Sequence, residues 1–352
     1  MMIKPDFEPD FERIKTAAKL GKSDIVPLLE CLIDLPIQST FLGREVTGDD
    51  LQSQVEFWTS AGYDYIPLTA GMMNPGKVTQ DSFISKVLKD YVADGSEDSW
   101  NVETNDFIRT REDFEKFPWG VLEKLDFNKV KNVAPMLPEK MKVVVLSGKI
   151  FTLSWMLMGF DNFATSLILD EQLVADVVEK VAKIQIACVD AVLEMPHVGG
   201  VWFVDDIAFG TGAIISPNAF RKHVFPWYKE LTKRCHKRDL IVFFHTDGVL
   251  TGLMDDLIDI GIDVLQPIDP TCMDIVEVKK RWGNKLCIAG NVPNEMLQLA
   301  SPKQIEDYVK YLIENLAPGG GYMLGSGNSV AEWSKFENFM AMRAANFKFG
   351  RY

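Results

Sequence analysis

The sequence predicts an α/β fold, a (β/α)8 TIM barrel in a single domain over residues 1–352, and three observations carry that expectation. Eight short apolar runs bounded by turn signals follow one another along the chain. Amphipathic helical patterns lie between them. No G-x-G-x-x-G opens any of these helices, which argues against an open, doubly wound dinucleotide-binding sheet.

The predicted strands are Ile25–Leu32 (IVPLLECL), Tyr63–Thr69 (YDYIPLT), Val143–Ser147 (VVVLS) and Val201–Asp206 (VWFVDD). Ile241–Asp247 (IVFFHTD), Ile262–Ile268 (IDVLQPI), Leu286–Val292 (LCIAGNV) and Gly321–Gly325 (GYMLG) complete the series. Between them, Asp161–Glu194 reads as one long helical stretch or two helices. Asn218–Arg238 follows Ser216-Pro217, and Ser301–Leu316 opens on Ser then Pro, both helix-start signals. Thr251–Asp259 runs out at Gly261, a C-cap signal. The interval of about 71–142 is too long for one loop. It reads as an insertion between the second and third strands, with a helix over Asp81–Val92 and short strands over Ser99–Thr110. Such an elaboration is expected over the catalytic face, as a lid or docking surface.

Composition narrows the function classes. The chain is 47% hydrophobic and 25% charged, with a net charge of −13 and no Lys/Arg-rich block, so nucleic acid and anionic membranes are not expected partners. Five cysteines without a C-x-x-C pair point away from a disulfide framework and toward a reducing cytoplasm. The opening MMIKPDFEPDFERIK lacks the apolar core of a secretory signal. Apolar stretches are all broken well short of the ~20 residues a membrane helix needs.

In a barrel of this kind catalytic groups gather at the C-terminal ends of the strands. Those ends supply Glu30, Thr69, Ser147, Asp205 with Asp206, His245 with Asp247, Gln266 with Asp269, Asn291, and Ser326 with Asn328. IVFFHTDG is the most informative, an apolar run stopping abruptly in polar residues as a buried parallel strand does where it meets a site. Side chains two apart share a face, so His245 and Asp247 point one way and Thr246 the other. An imidazole beside a carboxylate can hold a metal ion, a proton or a substrate. Each candidate has a plainer alternative: a hydrogen-bonded core histidine for His245, a helix N-cap for Asp205 or Asp206, a paired interior carboxylate for Glu30, and a loop tie for Asn291. His197, His223 and His236 read as surface residues. Trp155, Met156 and Met158 read as core packing ahead of a ligand pocket.

The runs FVDDIAFGTGAIISPNAFRKHVFPWYKEL, FFHTDG, GIDVLQPIDP, AGNVPNEML and GGGYMLGSGNS, in that order, resemble the uroporphyrinogen decarboxylase-like superfamily. That superfamily holds the decarboxylase and the corrinoid-dependent methyltransferases, and the likeness extends from about Ile25 to Phe339. It implies a (β/α)8 barrel with a deep pocket at its C-terminal face. The decarboxylase branch carries an Arg-rich segment after the first strand; here CLIDLPIQSTFLGRE has no arginine before Arg44, and Asn328 stands where a histidine is expected. A polycarboxylate substrate without an arginine clamp, on a chain of net charge −13, is physically awkward. The methyltransferase branch often carries H-x-C on the fifth strand and a later cysteine, which together bind zinc. This chain has His245-Thr246-Asp247 and no cysteine at Gly325-Ser326-Gly327, so a thiolate-rich zinc site is not expected. A His/carboxylate site of His245 and Asp247, completed by Glu30 or Asp205, would leave zinc more electrophilic.

The resemblance and the residues together give a leading expectation: an enzyme moving a methyl group from a small donor, a methoxylated aromatic or methylamine-type compound, to the cobalt of a corrinoid protein. His245, Asp247, Asp205 and Asp206 are the catalytic candidates; Glu30, Gln266, Asn291 and Asn328 the substrate-binding ones. No D-x-H-x-x-G element occurs to hold a corrinoid, so that cofactor is expected on a partner protein. One alternative is a decarboxylase of a smaller acid, with Asp205 or Asp206 as proton donor. The other is a ligand-binding barrel without chemistry. The sequence leaves a homodimer open.

Overall fold

The computed structural model describes residues 7–70, 107–123 and 125–352. Its centre is an all-parallel seven-stranded sheet: β1 (Tyr65–Thr69), β2 (Lys142–Ser147), β3 (Val198–Val204), β6 (Ile241–His245), β7 (Val264–Gln266), β8 (Cys287–Ala289) and β9 (Tyr322–Met323). These strands lie side by side in chain order, so each crossover returns the chain to the neighbouring position. A two-stranded hairpin, β4 (Ala208–Phe209) with β5 (Gly212–Ala213), stands apart between β3 and β6.

Register and side-chain contacts tell the two faces apart. Phe203 and Phe244 both pack on Tyr228 of the helix Phe225–His236, and Ser147 Oγ meets Gln185 of the helix Glu171–Leu193 at 3.2 Å. That is the helix-covered face. Thr69, Leu146, Trp202, Phe243 and Val264 are partners in register on the opposite face, where Trp202 stacks on Phe243 with ring centroids 5.1 Å apart. Both faces are apolar and buried, as parallel sheets require.

The sequence predicted eight strands, and the first of them differs. Ile25–Leu32 forms no ladder; it is tied to the β9 region by isolated bridges, Leu28 with Leu324 and, just beyond it, Ile33 with Val330. Pro27 has no N–H to give, and β9 is only two residues long, so little pairing is available. On its other side no backbone bond joins this segment to β1 among the described residues. The Tyr65 phenol does so instead, accepting from the Glu30 N–H at 2.7 Å and donating to the Glu30 carbonyl at 2.6 Å.

The helical stretch predicted over 161–194 is two helices, Phe160–Leu169 and Glu171–Leu193. Asp170 between them caps the second, accepting from Leu173 N at 3.1 Å. The stretch predicted over 218–238 contains a π turn at Phe220–Val224, next to Pro226, whose missing N–H interrupts the regular ladder. Ser301 opens the helix Pro302–Leu316 with a capping box to Gln304. The helix predicted over 81–92 and most of the strands predicted over 99–110 lie outside the described residues. From residue 107 onward the interval carries the short helices Arg111–Lys116 and Asn128–Val133. No helix among the described residues is long and apolar enough to cross a membrane. Cys31, Cys235, Cys272 and Cys287 form no disulfide.

Candidate active site

His245 ends β6 on the face of Phe243 and Trp202, opposite the covering helices, and is 8% exposed. Its Nδ1 lies 2.7 Å from Gln266 Oε1, and the two residues are register partners on adjacent strands. Thr246 turns the other way and accepts the Ile207 N–H at 3.0 Å. Asp247 returns to the side of His245. One of its oxygens accepts from Asn328 Nδ2 at 2.6 Å; the other, Oδ1, is buried without a hydrogen-bond partner. The Asp247 N–H donates at 3.4 Å to Asp206. One ligand atom from each of Asp206, His245 and Asp247 lies within 4.8 Å of the others.

Gly248 lets the chain leave this group at φ +93°. A Cβ there would meet the backbone of Ala208 and Phe209 at 2.6–2.8 Å, so only glycine lets the β4–β5 hairpin close over the loop. Asp269, after β7, accepts from Gly248 N at 3.4 Å, from Thr271 Oγ1 at 2.7 Å and from Cys272 Sγ at 3.1 Å. No lysine or arginine pairs with Asp206, Asp247 or Asp269 among the described residues. Burial pushes the Asp247 carboxyl above the usual range. The nearby His245 opposes that rise, while Asp206 and Asp269 add to it.

The other candidates are placed differently. Asp205 faces the helices, the reverse of its neighbour Asp206. Its carboxylate accepts from Phe151 N at 2.7 Å, Thr152 N at 2.8 Å and Tyr228 Oη at 2.5 Å, so it caps the helix Phe151–Met158. Asn291 donates to the Ile268 carbonyl at 2.8 Å and ties two loops together, with its Oδ1 buried and unpartnered. Glu30 is fully buried and stands outside the converging group; both its oxygens accept from Ser326, the N–H and the hydroxyl each at 2.6 Å. His223, read from sequence as a surface residue, is instead buried and pairs with Glu171 at 2.9 Å. Asp269, Cys272 and Tyr228 complete the surroundings. Of these, only Asp269 had a sequence signal, its place at a strand end.

Burial raises Glu30 to about 8 from 4.5, against the two Ser326 bonds. The folded state therefore holds a proton that the unfolded state releases, and stability is lost as pH climbs from about 4.5 to about 8. Glu30→Gln keeps an acceptor for the Ser326 N–H and offers a donor to its hydroxyl. The variant is expected to gain on the parent across that window, by on the order of a few kcal/mol at its upper end. Urea denaturation of both proteins at a series of pH values measures the difference; parallel stability curves would refute it.

A parallel α/β sheet with carboxylates and an imidazole beyond its strand ends is the architecture of an enzyme that works at a C-terminal rim. The uroporphyrinogen decarboxylase (URO-D) family model matches residues 104–347, and the chain belongs to that family. A uroporphyrinogen decarboxylase of Shewanella loihica is 27% identical over 124 residues, 34% of this chain and 34% of that protein, so the match spans about a third of that relative's length. A solved methyltransferase from Methanosarcina mazei has the same fold, with a TM-score of 0.67 at 16% identity, over 97% of this chain and 99% of that one.

Proposed function

We propose that this chain is a methyltransferase that takes a methyl group from a small donor, a methoxylated aromatic or methylamine-type compound, and passes it to the cobalt of a separate corrinoid protein. It would work in the cytoplasm, on a (β/α)8 barrel in which the Ile25–Ile33 segment fills the eighth strand position. Family membership and the methyltransferase of the same fold support the reading. The single observation that carries it is the convergence of Asp206, His245 and Asp247 on one point.

This donor set suits zinc. It has one imidazole and two carboxylates, and it includes a buried carboxylate oxygen without a hydrogen-bond partner among the described residues. Zinc held by Asp206, His245 and Asp247 would supply Lewis acidity toward the donor's leaving oxygen or nitrogen. The protein's own contributions are separate. Asn328 holds one Asp247 oxygen and leaves the other for the cavity. Trp202 and Phe243, one strand level below His245, are fully buried and close the interior beneath the site against water.

The test mixes the protein with a reduced corrinoid protein and a panel of methoxylated aromatics and methylamines, following cobalt absorbance and the demethylated product. A donor-dependent change with product release is expected. No change across the panel would sink the proposal, and carbon dioxide release without any corrinoid would favour the decarboxylase reading.

A further inference from the structure

We propose that Gln266 and Asn328 are positioning residues that decide which nitrogen of His245 and which oxygen of Asp247 stay free, rather than groups that touch substrate. Gln266 Nε2 lies 2.8 Å from the backbone carbonyl of Asn328, and Gln266 Oε1 lies 2.7 Å from His245 Nδ1. A carbonyl can only accept, so the amide nitrogen must face Asn328; the reversed amide would set two acceptors against each other. The amide oxygen is thereby left for His245, and it too only accepts. The imidazole proton therefore sits on Nδ1, and Nε2 keeps its lone pair.

Asn328 acts twice. Its carbonyl orients Gln266, and its side-chain amide donates to Asp247 Oδ2 at 2.6 Å, leaving the buried Oδ1 without a partner. One residue of the loop after β9 thus sets both members of the pair. On the other side the arrangement is fixed by the sheet, because His245 and Gln266 are paired in register. A partner on the far ring nitrogen, holding the near one for a cation, is the general second layer of a histidine metal site. The tautomer assignment stands without any cation; only its consequence for affinity rests on the reading given under Proposed function.

The chain has four histidines, so the His245 ring signals in 15N-histidine-labelled, cation-free protein can be identified by their loss in His245→Gln. At a pH where the ring is neutral, wild type, Gln266→Glu and Asn328→Ala are expected to show the Nδ1–H tautomer. Gln266→Leu is expected to lose it, and Gln266→Glu guards against a variant that simply fails to fold. A wild-type Nε2–H tautomer, or one unmoved in Gln266→Leu, would overturn the assignment. Titration with cobalt(II) as probe is then expected to show affinity about 10- to 100-fold weaker in Gln266→Leu and in Asn328→Ala. Unchanged affinity in both would overturn the consequence for the cation. A wild type that takes up no cobalt(II), with the tautomer pattern intact, would instead remove the cation reading and leave the positioning roles standing.

Discussion

Asp205→Ala is expected to lower the stability of the fold by about 2–4 kcal/mol, the largest loss from a single change at this rim. The Asp205 carboxylate takes the first N–H groups of the helix Phe151–Met158 and is itself 1% exposed. Without it the buried Phe151 donor and the part-buried Thr152 donor both lose their partner. Tyr228 is spared, since its one hydroxyl proton can turn to the Gly148 carbonyl instead. Asp205→Asn recovers little, because half of its amide turns a donor toward donors. Urea midpoints would measure the loss. The folded variant should still bind cobalt(II) at His245 and Asp247; a fully stable Asp205→Ala protein that had lost only activity would contradict the capping role and restore Asp205 as a candidate acid.

Asp247→Asn is expected to have the opposite signature, a loss of activity of about 10²–10⁴-fold with no loss of stability. The parent carboxylate is partly desolvated, sits near Asp206 and Asp269, and satisfies only one of its oxygens. Replacing it with a neutral amide of the same shape keeps an acceptor for Asn328 and removes the like-charge contact. A gain of roughly 0.5–2 kcal/mol is in the range seen when a strained functional position is relieved. Thermal denaturation of the cation-free protein, paired with the turnover assay, separates the two effects. An Asp247→Asn protein that is less stable than its parent would mean the carboxylate is structural.

The two aspartates show how far the sequence could be read. The alternation that puts His245 and Asp247 on one face with Thr246 on the other follows from strand geometry alone, and the structure agrees with it. The same rule separates Asp205 from Asp206 but could not say which one turns to the helices. VWFV is apolar at every position because a parallel strand is buried on both sides, so its parity is invisible until Phe203 is seen against Tyr228. The short apolar runs located seven strands of the sheet. They misread Ile25–Leu32, where the run is present but its neighbours offer too little backbone to pair with. Contacts across long sequence separations were out of reach for a different reason. Glu30 meets Ser326 at a separation of 296 residues and His223 meets Glu171 at 52, and no local pattern encodes either.

The phenol of Tyr65 stands where a strand-to-strand ladder would otherwise run, and that substitution has a mechanical result. Two hydrogen bonds through one side chain are lost together when that side chain shifts, whereas a ladder must be unzipped rung by rung. The wall that carries Glu30 should therefore part in one step at this stitch, ahead of the strands that a ladder joins.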